Sequence, residues 1–248
     1  MDEEQIKPIK RVKHIEKTDI FTDEELKRIF STLQSNASQE EAMFIKTLYY
    51  TGCRVSEITG NLLDKKYGFE PNPLKPDSIS VSRGVITIRN LKPRMYRYRC
   101  SKCHQTLSAS TKTCYCGSQE IQKELMDKRF KTVEVPKEFL LEMAQYIELH
   151  NIKPYEPIFD FDRFKAGRIV RHICKLANIG KLGTKQPHCH NFRHQFVMIG
   201  VRNGVPMKYL QKQTGHASLT QLGEYIEISE EEKADNLNKM WKNDADRT

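Results

Sequence analysis

"CHNFRHQF", residues 189–196, sets His190, Arg193 and His194 in one short segment. His190 and Arg193 stand three positions apart, so a helix here places them on one face. Downstream, "GHAS" (215–218) supplies His216, and "EYIE" (224–227) places Tyr225 nine positions after that histidine. Upstream, "TGCRVSEI" (51–58) carries Arg54 just past a glycine suited to ending a helix. Each of these residues alone reads better as an ordinary core or surface side chain. As a set they pose one question, because from Arg163 to Gly223 the chain runs 61 residues without an Asp or Glu.

The charge distribution answers part of it. The 248 residues carry a formal net charge of +9. Residues 78–119 hold eight Lys/Arg and no acid, and residues 163–223 hold eleven and no acid, so the remaining 145 residues are net −10. Solubility alone does not require excluding acids from two long blocks. The split predicts a positive face turned toward a polyanion. Charged residues make up 29% of the chain, no apolar run approaches a membrane span, and the N-terminus "MDEEQIKPIKRVKH" is polar. These features point to an intracellular, nucleoid-associated protein whose seven cysteines are not a disulfide set.

Periodicity gives the fold class. "FTDEELKRIFSTL" opens on a Thr22 capping box with acids in the first turn, and Leu26, Ile29, Phe30 and Leu33 recur at helical spacing. A second helix through "EEAMFIKTLYY" stops at Gly52, and a third covers Val55 to Leu62. "SISVSRGVITIRN" reads as two strands around an Arg83-Gly84 turn, and "FKTVEVP" as one more ending at Pro136. Helices follow over 137–149, 162–177, 190–203, 206–213, 218–225 and 229–242, the last opening on Ser229 and three glutamates. The expected architecture is mainly α with one small antiparallel sheet (α+β).

Two arginines and two histidines can surround a phosphate, since the planar guanidinium fork matches phosphate oxygens. A phenol has an ordinary pKa of about 10 and needs a cationic site or a base before it attacks phosphorus. Fixed cations would meet the charge that develops on the transition-state oxygens. An acid-free neighbourhood suits both tasks.

The strings "TGCRVSEI", "HNFRHQF" and "TGHASLTQLGEY", in this order and with the middle strand pair, closely resemble the tyrosine recombinases of phage-integrase and Xer type. The resemblance covers roughly residues 21–99 and 120–240. It implies a site-specific recombinase or integrase that cleaves and rejoins double-stranded DNA through a 3′-phosphotyrosyl intermediate, without ATP or a catalytic metal. By this resemblance Arg54 and Arg193 clamp the scissile phosphate and Glu57 braces the Arg54 turn. His190 assists proton transfer, His216 binds a non-bridging oxygen, and Tyr225 is the nucleophile. His194 packs or hydrogen-bonds nearby without a catalytic role. The family's hairpin lysine, general acid for the leaving 5′-oxygen, falls on Lys92, with Lys128 and Lys131 as competitors. The resemblance further implies a tetramer on paired DNA sites, with the C-terminal helix docked on a neighbouring subunit; packing on its own subunit is the alternative. A topoisomerase IB-like relaxing enzyme and a non-catalytic DNA-binding regulator are the rival readings.

The chain departs from the family pattern in three places. Phe192 and Thr214 read as packing changes. The third departure is "CSKCHQTLSASTKTCYCG", where Cys100, Cys103, Cys114 and Cys116 follow a C-x-x-C…C-x-C-G pattern fitting a structural zinc ribbon, with His104 as a substitute ligand. Incidental thiols or a redox pair are the alternative, and the clustering of four of the seven cysteines within 17 positions favours metal. Cys53, Cys174 and Cys189 read as small buried apolar residues. The expected organisation is an arm or linker at 1–20 and a catalytic domain at 21–248. A ribbon-like insertion at 100–119 and a tail at 229–248 lie within that domain. The resemblance implies a preceding core-binding domain, for which residues 1–20 are too short.

Overall fold

The computed structural model describes residues 19–60, 72–90, 96–108, 110–125, 130–216 and 218–245. Thr22 with Glu25 and Ser38 with Glu41 form reciprocal capping boxes that open α1 (Asp23–Ser35) and α2 (Gln39–Thr51). Each box satisfies backbone N–H groups that a helix start leaves unpaired. Gly52 ends α2 in the left-handed region at φ 57°. The chain then passes through Cys53 and Arg54 into the short α3 (Val55–Thr59).

The expected strands form one antiparallel sheet, ordered β1 (Ile79–Ser80), β2 (Val85–Arg89), β6 (Phe130–Glu134). Gly84, at φ 69°, makes the turn before β2. Ile88 pairs with Lys131 and Ile86 with Val133. Side chains alternate along a strand, so Lys131 shares the inward face with Val133, and both are buried. A second sheet, ordered β4 (Thr106–Leu107), β3 (Tyr96–Cys100), β5 (Ile121–Leu125), frames the cysteine insertion. The sequence pattern had predicted only one sheet.

The helices after Pro136 are α4 (Lys137–Leu149), α5 (Arg163–Leu176), α6 (Cys189–Arg202) and α7 (Met207–Thr214), each within about one residue of expectation. The tail differs. A single helix, α8 (Thr220–Ala245), carries both Tyr225 and Ser229, so Ser229 is not a helix start. No proline or glycine follows Gly223 to interrupt the helix, and Ser229 is buried within it. The main core gathers Phe21, Ile29, Phe44, Ile58, Val133 and Phe192. A smaller cluster holds Ile20, Val197, Met198, Leu210, Leu222, Tyr225 and Ile228. Helix α6 walls both, through Phe192 on one and Val197 and Met198 on the other. Among the described residues no helix is long and apolar enough to cross a membrane.

Gly52 joins α2 to α6. A Cβ there would lie 2.6 Å from the Phe196 ring, on a backbone that L side chains rarely adopt. Gly52→Ala should therefore cost about 2 kcal/mol or more and lower Tm by roughly 4–8 °C. Gly84→Ala, with open space around its Cβ, should cost only the left-handed penalty of about 1 kcal/mol. Thermal unfolding followed by circular dichroism compares the two.

Candidate active site

The site is built on a buried carboxylate. Glu57, 1% exposed, accepts from the Arg54 side chain at 2.9 Å and from the Arg54 backbone N–H at 3.1 Å. Its second oxygen also pairs with Lys131 Nζ at 2.9 Å. Burial alone would raise the Glu57 carboxyl, but Lys131, Arg54 and Arg193 outweigh it and hold the group below the usual carboxylate range. Lys131 Nζ donates in addition to the Thr214 carbonyl at 3.0 Å, tying β6 to the end of α7.

Arg193 is equally buried, at 1% exposed. It donates to the Gly52 carbonyl at 2.8 Å, which ties it to the turn that carries Arg54. Its other terminal nitrogen meets His216 Nε2 at 3.1 Å. Burial and the Arg54 charge push Arg193 down to about 10, opposed by Glu57, so it stays cationic at neutral pH. The Thr214 hydroxyl donates its one hydrogen to the Leu210 carbonyl at 2.6 Å and so accepts from His216 Nδ1 at 2.7 Å. In the neutral imidazole the proton then sits on Nδ1, and Nε2 is the acceptor facing Arg193. Thr214 is therefore a polar partner of His216 rather than the packing change expected from sequence.

Tyr225 lies in the smaller core cluster at 1% exposed, and its hydroxyl meets His194 Nδ1 at 2.6 Å. Burial raises the phenol pKa above its ordinary value, Arg193 lowers it in part, and Glu224 and Asp19 add to the rise. The His190 ring stands edge-on to His194 with centroids 5.4 Å apart. Partial enclosure of its nitrogens lowers the His190 pKa first, and Arg193, His194 and Arg54 add to it. Although its surface reaches solvent, which screens those charges, the direction leaves His190 neutral at pH 7. The main chain just before α1 closes this side: the Asp19 carbonyl accepts from the Asn191 side chain at 2.8 Å, and its carboxylate pairs with Lys185 at 3.0 Å.

Arg54, His190, Arg193, His216 and Tyr225 thus converge around α6, with Arg193 as the common neighbour. Lys92 and Lys128 lie outside the described residues. The neighbourhood is not acid-free in space, since Glu57 and Asp19 enter from distant segments. Sequence reasoning missed the bracing role of Lys131, although the alternation of "FKTVEVP" places it inward with Val133. The expected hydrogen bond of His194 nearby is found, with the Tyr225 hydroxyl as the partner that the sequence did not name.

The four insertion sulfurs, of Cys100, Cys103, Cys114 and Cys116, all lie within 4.8 Å of one another. The Cys100–Cys116 and Cys103–Cys114 pairs are 3.6 and 3.4 Å apart. Tetrahedral thiolate ligation of zinc, with bonds of about 2.3 Å, sets sulfur–sulfur edges of about 3.8 Å, so the donor set fits. Backbone N–H groups of Cys103 and Lys102 face Cys100 and hold its thiol down to about 6. Left-handed His104 (φ 59°) and Gly117 (φ 81°) shape the two turns, and His104 is not part of the sulfur cluster. Cys53, Cys174 and Cys189 are buried, and burial pushes the last two up to about 12 and about 11.

Comparison with known proteins places this geometry. A tyrosine recombinase of Thermosipho africanus (strain TCF52B) is 23% identical over 244 residues, covering 94% of this chain and 67% of that protein. One of Pseudothermotoga lettingae is 22% identical over 227 residues, covering 90% and 60%. The chain thus spans about three fifths to two thirds of these relatives. The crystal structure of XerA recombinase superposes with a TM-score of 0.57 at 20% identity, over 89% of this chain and 62% of that one. The catalytic domain of bacteriophage HP1 integrase does so at 0.52 and 14%, over 85% and 88%. These likenesses establish the fold. Residues 73–232 match the Phage integrase family, a stretch running from before the hairpin to beyond Tyr225, and the chain belongs to that family.

Proposed function

We propose that this chain is the catalytic part of a site-specific DNA recombinase that cleaves and rejoins strands through a 3′-phosphotyrosyl link. One observation carries the reading: Arg193 is bonded at once to the Arg54 turn and to His216, and its charge reaches Tyr225. Two guanidiniums, an imidazole and a phenol therefore address a single point. Arg54 and Arg193 bind the non-bridging oxygens of the scissile phosphate. With Nδ1–H held by Thr214, His216 donates from Nε2 only as the imidazolium, a form that an anionic phosphate favours. Tyr225 attacks phosphorus and the 5′-oxygen leaves. The fixed cations supply the charge stabilisation, so neither ATP nor a catalytic metal enters the reaction.

Lys92 remains the proposed proton donor to the leaving oxygen. Supporting this, Lys131 is buried and committed to Glu57 and the Thr214 carbonyl. Double-stranded DNA at a specific site is the substrate, and a homotetramer on paired sites is the working assembly. In the relatives' solved structures, XerH recombinase is bound to its difH substrate and the Tn1549 integrase is in complex with transposon right end DNA. The C-terminal part of α8 is proposed to dock on a neighbouring subunit. The four insertion cysteines would hold one structural zinc, which stiffens the tip of the hairpin, and Arg97, Arg99 and Lys102 would place that tip against DNA phosphate.

Tyr225→Phe should abolish the covalent DNA adduct on a nicked suicide substrate, with binding nearly unchanged; an adduct on a denaturing gel would move the nucleophile elsewhere. Arg54→Ala or Arg193→Ala should slow single-turnover cleavage by roughly 10²-fold or more. Wild-type DNA binding should weaken steeply with salt, as a filter or polarisation titration would read. Metal analysis should find one zinc per chain, and the double variant Cys100→Ser, Cys103→Ser should release it.

A further inference from the structure

The family resemblance implies that His190 assists proton transfer at the nucleophile; the contact with the phenol itself is made by a different histidine. Among the described residues, the hydrogen bond to the Tyr225 hydroxyl is made by His194 Nδ1, at 2.6 Å. His190 stands one ring further off, edge-on to His194. The phenol is buried in the cluster of Leu210, Leu222 and Ile228, where bulk water does not reach its oxygen. A proton leaving that oxygen needs an acceptor already in contact with it. An imidazole at hydrogen-bond distance, on the residue next to Arg193, meets that condition.

We propose that His194 is a catalytic residue of the reaction, taking the phenolic proton of Tyr225 on its Nδ1 as the tyrosine attacks. In the resting state the hydroxyl donates to Nδ1, which places the imidazole proton on Nε2. On attack an oxygen lone pair of Tyr225 forms the O–P bond, and the O–H proton passes to Nδ1. The P–O5′ bond breaks with its electron pair on O5′, which takes a proton from the general acid. His194 becomes an imidazolium and returns the proton to the phenol when the strand is rejoined. Burial explains why a base in contact is required: it raises the phenol pKa, so a free tyrosinate is scarce at neutral pH. Among the described residues, Arg193 on α6, Glu224 on α8 and Asp19 before α1 act on the Tyr225 phenol, and Arg193, Arg54 and His188 act with His194 on the neighbouring His190.

The inference rests on Tyr225 being the nucleophile, and the experiment separates the two ideas. Single-turnover cleavage of a nicked suicide substrate is measured for wild type, Tyr225→Phe, His194→Ala and His194→Asn. Asparagine offers an acceptor close to the position of Nδ1, so it keeps the hydrogen bond but cannot take the proton. Both His194 variants should bind DNA as wild type does and cleave about 10²-fold or more slowly. The wild-type rate should fall at acid pH as the imidazole protonates, and His194→Asn should lose that limb. A bridging 5′-sulfur at the scissile position, whose departure needs no proton, should not rescue His194→Asn. A His194→Asn rate within about threefold of wild type, or rescue by the 5′-sulfur, overturns the assignment. An adduct formed by Tyr225→Phe overturns the nucleophile instead.

Discussion

The site depends on one carboxylate. A buried guanidinium, Arg193, and a half-buried one, Arg54, repel each other, and burial costs them hydration. Unit charges 4 Å apart interact by about 4 kcal/mol at an effective dielectric of 20. Glu57 meets that repulsion from below. It pairs with Arg54 and Lys131 directly, and its charge opposes the downward push on Arg193. A buried carboxylate among three cations stays ionised, as its lowered pKa reflects. The arrangement is mechanical as well as electrostatic: Glu57 accepts the backbone N–H of Arg54, Lys131 reaches the carbonyl of Thr214, and Thr214 orients His216. The sheet, α3 and the end of α7 are thereby held in one register about the phosphate position.

The proposed nucleophile sits on the other side of α6 under a different regime. Tyr225 belongs to the smaller of the two apolar clusters, built from α6, α7, α8 and Ile20. The proposed phosphate clamp, Arg54 and Arg193, rests on the main core through Ile58 of α3 and Phe192 of α6. A small cluster has less apolar burial behind it and opens at lower free-energy cost than the main core. The cations are therefore the fixed half of the site and the tyrosine the adjustable half. Because α8 runs unbroken from Thr220 to Ala245, whatever engages the far end of this helix acts on the phenol through rigid backbone.

Much of this was legible in the sequence where a local rule decides the structure. Thr22 and Ser38 announced their helices because capping boxes are short-range, and Gly52 and Gly84 marked turns because the backbone there needs a left-handed conformation. Arg54, His190, Arg193, His216 and Tyr225 could be grouped because their types suit one chemistry. What was not legible is set by contacts between distant segments. Ser229 and three glutamates carry a start signal, yet the packing of α8 on α6 overrides it. The strand "YRYRC" is charged at every second position, and its partners are a two-residue strand within the cysteine loop and β5 beyond it. Thr214 looks like an apolar substitution until the fold brings its hydroxyl to His216, and the Tyr225 hydroxyl meets His194 across 31 positions of sequence.

The insertion obeys a separate constraint. Within residues 100–119 the buried apolar side chains among those described are Cys100 and Cys114, while Tyr115 at the tip is exposed. A segment of this size has no apolar core with which to offset the entropy of ordering its loops. Its strands are short, β4 having two residues, and a small isolated sheet is marginal in water. The four sulfurs nevertheless converge from two turns shaped by His104 and Gly117. The Cys116 backbone lowers the Cys114 thiol, but burial and the sulfurs of Cys103, Cys116 and Cys100 outweigh it and push the group up to about 12, and thiolates packed that closely repel one another unless a cation lies between them. The proposed metal would remove that repulsion and supply the folding free energy that the insertion lacks. The basic residues beside the turns, Arg97, Arg99 and Lys102, would then stand on a rigid frame, as their proposed contact with phosphates at fixed spacing requires.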